Sequence, residues 1–242
     1  MASPRYAFYS TPDAPEEPPR EYTKKEKAAN WWHYNKWYVI AAAAAAVFVG
    51  SLIFQIATKK DPDYQFAIID SITMPVGVTD TLQAQLATLC DDRNGDGEVL
   101  VSVMEYTIAK NGENAVDPNM QMAGITKLMA DAQNGETMIF LTKDPEGYQK
   151  TQGIFAANDG STLAENEIPS PFGVAWKDCP VLTALDLGNI ELYDGKSLPV
   201  QNIMAEYKLV KRVYHDTAIE EKEKQAAYYE SAMALFDQLT AQ

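Results

Sequence analysis

The densest run of chemistry-capable side chains in this sequence is DDRNGDGE, Asp91 to Glu98. Asp92, Asn94 and Asp96 fall at the first, third and fifth positions of a calcium loop, with Gly97 at the sixth. Oxygen ligands on alternate residues suit a hard cation, because a tight turn directs them all inward, and the glycine permits the bend. The twelfth position, where a bidentate Glu belongs, is Val103, and a strand stands where a second helix is expected. The pattern is therefore not an EF-hand proper. Its candidate metal residues are Asp92, Asn94, Asp96 and Glu98.

The run resembles the shortened helix-loop-strand calcium loops found on several folds, in which the missing ligands come from the Glu98 carbonyl, from Asp91 or from distant side chains. The same residues also make an Asx-rich turn, for which Asn-Gly and Asp-Gly are well suited. If calcium binds, the ion serves as a staple rather than a catalyst.

Other chemistry is sparse. Cys90 and Cys179 would gain about 4 kcal/mol from a disulfide in the chain-entropy model, and a buried free thiol is the alternative. A catalytic thiol needs a base, and the histidine on this side of the apolar segment is His215, expected at the surface. The chain has no G-x-S-x-G elbow, P-loop, dinucleotide fingerprint or H-E-x-x-H. The acidic pairs Glu165 with Glu167 and Glu220 with Glu221 read as solvated charge. Phe172 and Trp176 either line a pocket or pin their loop to the core.

The elements that must position these residues begin with a membrane span. Trp37 to Ala57 carries no charge, and as a helix it is about as long as the ~30 Å hydrocarbon core. Trp31, Trp32, Tyr34, Trp37 and Tyr38 crowd its start, where amphipathic rings prefer the headgroup layer. Lys24, Lys25, Lys27 and Lys36 precede the span while Lys59 and Lys60 follow it, which favours an inner N-terminus. Gln55-Ile56-Ala57 is a poor cleavage site, so the segment reads as an uncleaved signal anchor. Ala42, Ala46 and Gly50 lie at four-residue spacing and offer a seam for a homodimer, a pattern that an alanine-rich span also produces by chance. Three parts result: residues 1–36, a disordered cytoplasmic tail with an aromatic and basic juxtamembrane end, broken by Pro4, Pro12, Pro15, Pro18 and Pro19; residues 37–57, the transmembrane helix; and residues 58–242, an extracytoplasmic α/β domain.

Within that domain, Tyr64 to Ile69, Val99 to Ile108 and Thr137 to Thr142 read as strands. Thr79-Asp80 caps a helix bearing Leu82, Leu86 and Leu89, and Asp117-Pro118 opens another that Asn134-Gly135 stops. This β-α-β-α-β order predicts a mixed, mainly parallel sheet flanked by helices. Asp144 to Pro180 reads as irregular excursions, Ile203 to Val213 as a half-exposed antiparallel or edge strand, and Thr217 to Thr240 as a closing helix. That helix would bury a stripe of Ile219, Ala226, Tyr229, Met233 and Phe236.

Composition narrows the function classes. With 46% hydrophobic residues across 242 positions, a packed core is assured. A net charge of -14, made up of -15 on the outer domain and +1 on the tail, excludes a nucleic-acid binder, which needs a basic face. Two cysteines make no disulfide scaffold.

The anchor, the DxNGDGxV loop at Asp92 to Val99 and the DPxMQMAGxxKLMxD segment at Asp117 to Asp131 together resemble uncharacterised membrane-anchored proteins of clostridial gut bacteria. The α/β core is faintly similar to one lobe of extracellular solute-binding proteins. These resemblances imply a single-pass membrane protein with its C-terminal domain outside, and bring no activity with them. The reading that follows is a non-enzymatic domain binding a small ligand or an envelope protein. An envelope hydrolase or thiol enzyme whose motif is not visible, and a structural component of an envelope complex, are its alternatives.

Overall fold

The computed structural model describes residues 21–58, 60–109, 116–164, 168–191 and 195–241. The prolines of the tail up to Pro19 and the pair Glu165 and Glu167 lie outside them. The chain divides into two compact units, Met1–Lys60 and Asp61–Gln242.

In the first unit, helix α1 spans Lys24–Thr58. It starts well before the uncharged stretch, because Thr23 and Glu26 form a capping box. The Thr23 backbone N–H donates to Glu26 Oε2 at 2.9 Å, and the Glu26 N–H donates to Thr23 Oγ1 at 3.4 Å. The aromatic cluster from Trp31 to Tyr38 is thus part of the helix. Its segment Lys24–Gln55 is long and apolar enough to cross a membrane and is not buried against protein.

The second unit runs through β1 (Tyr64–Asp70), α2 (Val78–Ala87), β2 (Val101–Thr107), α3 (Pro118–Asn134), β3 (Ile139–Thr142), α4 (Pro145–Gln152), β4 (Val174–Ala175), α5 (Pro180–Thr183), β5 (Asn189–Glu191), β6 (Ser197–Pro199), α6 (Val200–Met204), β7 (Lys208–Lys211) and α7 (Glu223–Thr240). Five strands form one mixed sheet in the order β2-β1-β3-β7-β4, and β5 pairs with β6 as a small hairpin. β1 lies parallel to both β2 and β3, while β7 is antiparallel to β3 and β4.

Alternating side chains divide the core into two. Phe66, Ile68, Ile139, Leu141 and Leu209 pack with Leu82 and Leu86 of α2 and with α7. Ala67, Ile69, Phe140 and Val210 pack with Leu128 of α3 and Tyr148 of α4 on the other face. A sheet covered on both sides explains the nearly continuous apolar runs in β1 and β3. Among the described residues, none of α1 belongs to either cluster, and the second unit closes its core by itself.

Several local features depart from the sequence reading. α2 is capped by Gly77 and not by Thr79; the Thr79 hydroxyl donates instead to Glu105 Oε1, a tertiary partner invisible to local spacing. Residues 144–152, read as irregular, hold α4, whose Asp144 cap accepts the Gly147 N–H at 3.0 Å. The strand expected from Ile203 begins only at Lys208, because Val200–Met204 is helical. α7 starts at Glu223; Phe236 of the expected stripe is buried, as is Ile219 just before the helix, but Tyr228, Ala232, Leu235 and Leu239 join Phe236 in the core while Ala226, Tyr229 and Met233 lie on its flank. The Asp117 cap and the Gly135 stop of α3 are as read, with Asp117 accepting from Asn119 and Met120.

Candidate functional site

Reversal of strand order beside β1 creates the site. From β1 the chain crosses through α2 to β2 on one side, then through α3 back past β1 to β3. In open α/β sheets the crevice at the carboxyl ends of the strands, where the direction of winding reverses, is the natural ligand position. Asp70 ends β1, Lys143 follows β3, and Tyr207 precedes β7.

These three residues meet. Asp70 Oδ2 accepts the Tyr207 hydroxyl at 2.5 Å and the Lys143 ammonium at 3.2 Å. Asp70 Oδ1 accepts the Ser71 backbone N–H at 2.7 Å. The carboxylate is 4% exposed, so its charge stands in a low-dielectric setting where these partners are strong. Burial, then the Asp70 bond, pushes the Tyr207 phenol well above its ordinary range. Burial works against the Lys143 ammonium, but the Glu206 and Asp70 carboxylates outweigh it and hold its pKa above the usual value. Lys143 also lies 5.0 Å from the centre of the Tyr207 ring. The Tyr207 phenol and the Lys143 ammonium thus both keep their protons near neutral pH.

A cleft of 380 Å³ opens above this group. Ile72, Met74 and Pro75 from the loop after β1 form one wall. Ile190 and Leu198 of the β5–β6 hairpin and Ile203 of α6 form the other. Lys143, Glu206 and Tyr207 make its polar end. The β1 loop is itself pinned, since the Met74 N–H donates to Glu105 Oε2 at 3.1 Å. An apolar cleft with a few convergent polar groups is the common form of a small-molecule site.

The sequence reading missed this constellation. Its signal was present in FAIID and FLTK, two apolar strands each followed at the carboxyl end by a charge. Only the strand order makes them neighbours.

The DDRNGDGE loop sits elsewhere, between α2 and β2. Asp92 accepts the Gly95 and Gly97 N–H groups at 2.7 and 2.8 Å. Asn94 accepts from Asp96 at 2.8 Å, and Asp96 from Glu98 at 2.9 Å. Gly95 and Gly97 have φ of 74° and 89°, a left-handed backbone that glycine adopts without strain. Asp63, fully buried, ties the loop to β1 by accepting from Asn94 and Leu100 at 2.9 Å each. Arg93 donates to the Asp63 carbonyl and lies over the Tyr228 ring. Among the described residues, no three His, Cys, Asp or Glu side chains converge as a metal site.

Cys90 and Cys179 are both free thiols. Burial first, with Asp91 and Asp63 adding to it, pushes the Cys90 thiol up to about 12. Burial and Asp178 also raise that of Cys179. His215 lies at the surface, its Nδ1 2.9 Å from Glu220 Oε1. Trp176 and Phe172 are both 1% exposed and pin their loop rather than line the cleft. The Trp176 indole N–H donates to Gln201 Oε1 at 2.9 Å.

No family model, curated protein or solved structure matches this chain; what stands is one long apolar N-terminal helix and a mixed α/β domain.

Proposed function

We propose that this chain is a single-pass membrane protein whose C-terminal domain, held outside the cell by α1, binds a small ligand in the cleft at the carboxyl ends of β1 and β3. The observation that carries this reading is the position of the Asp70–Lys143–Tyr207 group. It lies at the reversal of strand order, beneath an apolar cleft of ligand size. The lysine excess before the apolar stretch supports an inner N-terminus.

Of the enzymatic alternatives, the thiol enzyme is disfavoured by the state of the cysteines. Both thiols are held protonated by burial, which speaks against a thiol enzyme. The experiment is methyl chemical-shift mapping of residues 61–242 against a library of small water-soluble compounds. The reading expects compounds that shift the Ile72, Ile190, Leu198 and Ile203 methyls together; shifts confined to other surfaces would reject it.

A second reading concerns the loop. Calcium binding by Asp92, Asn94 and Asp96 is supported by their alternate spacing in a loop with Gly97 at the sixth position. Glu98 follows as the remaining candidate. Thermal melting of residues 61–242 should then rise with calcium and fall with a chelator. An unchanged melting temperature leaves the loop as a plain Asx turn. In α1, the four-residue spacing of the small residues Ala42, Ala46 and Gly50 is what supports a homodimer seam; cross-linking in lipid discs that finds only monomers would remove it.

A further inference from the structure

We propose that the ligand of this cleft is a small carboxylate with an apolar tail, and that its head takes the place of Glu206 on Lys143. The inference rests on the reading of the cleft as a ligand site and names the chemistry of its occupant.

The two carboxylates on Lys143 are unequal. Asp70 and Glu206 each lie 3.2 Å from Nζ, but Asp70 is 4% exposed and Glu206 is 65% exposed. Asp70 is also held by Tyr207 and Ser71, so it is a fixed part of the protein. Among the described residues, Lys143 is the one side-chain partner of Glu206. An ion pair that open to water contributes little, because solvent screens it and a long side chain must be ordered to form it. Glu206 therefore occupies the ammonium as a weak internal anion at the rim of the cleft. An incoming carboxylate exchanges with it on Lys143, which keeps Asp70 as its second partner; the cost is one added negative charge near Asp70, eased by the release of exposed Glu206 into water.

The remainder of the cleft sets the other half of the ligand. Ile72, Met74, Ile190, Leu198 and Ile203 line it, and burial of an alkyl chain against them adds affinity that water cannot match for Glu206. A ligand ammonium suits the site poorly. It would have to share Glu206 with Lys143, which already lies 3.2 Å from that carboxylate. A neutral alcohol gains the apolar contacts but not the charged one.

The test uses residues 61–242, whose core closes without α1, titrated with hexanoate, hexylamine and hexanol and read by methyl chemical shifts and calorimetry. Hexanoate should shift the Ile72, Leu198 and Ile203 methyls and bind at least about tenfold tighter than either other probe. Glu206→Gln removes the internal competitor from an exposed position and should tighten hexanoate binding by about threefold or more. Lys143→Met should weaken it by about tenfold or more, and Lys143→Arg should restore part of the loss. Weaker hexanoate binding in Glu206→Gln would overturn the exchange. Cleft shifts with hexylamine or hexanol but not hexanoate would overturn the carboxylate class while leaving the cleft a ligand site. Shifts with none of the three probes would overturn the proposal, and the library mapping then decides separately whether the cleft binds anything.

Discussion

Two acidic groups of the second unit, the turn from Asp92 to Asp96 and the cleft around Asp70, use carboxylates in opposite ways. In the loop, Asp92, Asn94 and Asp96 each answer a backbone N–H a few residues along, so for these three sequence spacing and geometry carry the same information, whereas their neighbour Asp91 accepts the Tyr64 hydroxyl. In the cleft, Asp70 answers a hydroxyl and an ammonium drawn from segments far along the chain, at Tyr207 and Lys143. The loop has a motif and a local job, that of shaping the turn before β2. The cleft has no motif and a group that can face a ligand. Local hydrogen bonding leaves a readable pattern, whereas a site assembled by sheet order leaves only charges at strand ends.

The comparison breaks most visibly on removal of the central carboxylates. Asp70→Ala leaves the buried Tyr207 hydroxyl and the Ser71 N–H without their acceptor and Lys143 without its buried partner. It should cost about 3 kcal/mol in urea unfolding. Asp92→Ala loses two N–H acceptors in an exposed turn, where water substitutes, and should cost about 1 kcal/mol. Equal costs would erase the distinction between a buried non-local group and a local turn.

A smaller effect sharpens the cleft alone. The folded pKa of Lys143 is raised, so its contribution is complete below the ordinary lysine value of about 10.4 and is lost as pH climbs through the folded value. Urea midpoints measured across that alkaline window should fall more steeply for wild type than for Lys143→Met. Because Lys143 is 21% exposed, the difference should stay below about 1 kcal/mol. Identical slopes would mean that Asp70 and Glu206 do not hold the ammonium in solution.

The sequence made the first half of the sheet legible and the second half much less so, for a physical reason. β1, α3 and β3 are announced by apolar periodicity and caps within their own windows. Asp117-Pro118 signals α3 by cap chemistry, and Asp144-Pro145 does the same for α4. The second went unread because the helix it opens is short and surrounded by Gly and Asn. In the region around Tyr207, alternation continued through Ile203 and Met204, but those residues turn as α6 and deliver Tyr207 to Asp70. Alternation alone cannot distinguish a strand from a short helix followed by one. Arg212 gives a further case: its guanidinium is buried and donates to the Asp131 and Ala132 carbonyls at the end of α3, a tertiary cap with no local signal. The candidate site belongs to this second kind of information, which resides in topology.

The most direct test sets the two regions side by side. Methyl spectra of residues 61–242 are recorded with hexanoate for wild type, Asp92→Ala and Lys143→Met. The account predicts that Asp92→Ala keeps the wild-type shifts at Ile72, Leu198 and Ile203 while Lys143→Met loses them. Retention of those shifts in Lys143→Met, with their loss in Asp92→Ala, would contradict it and return the binding role to the loop.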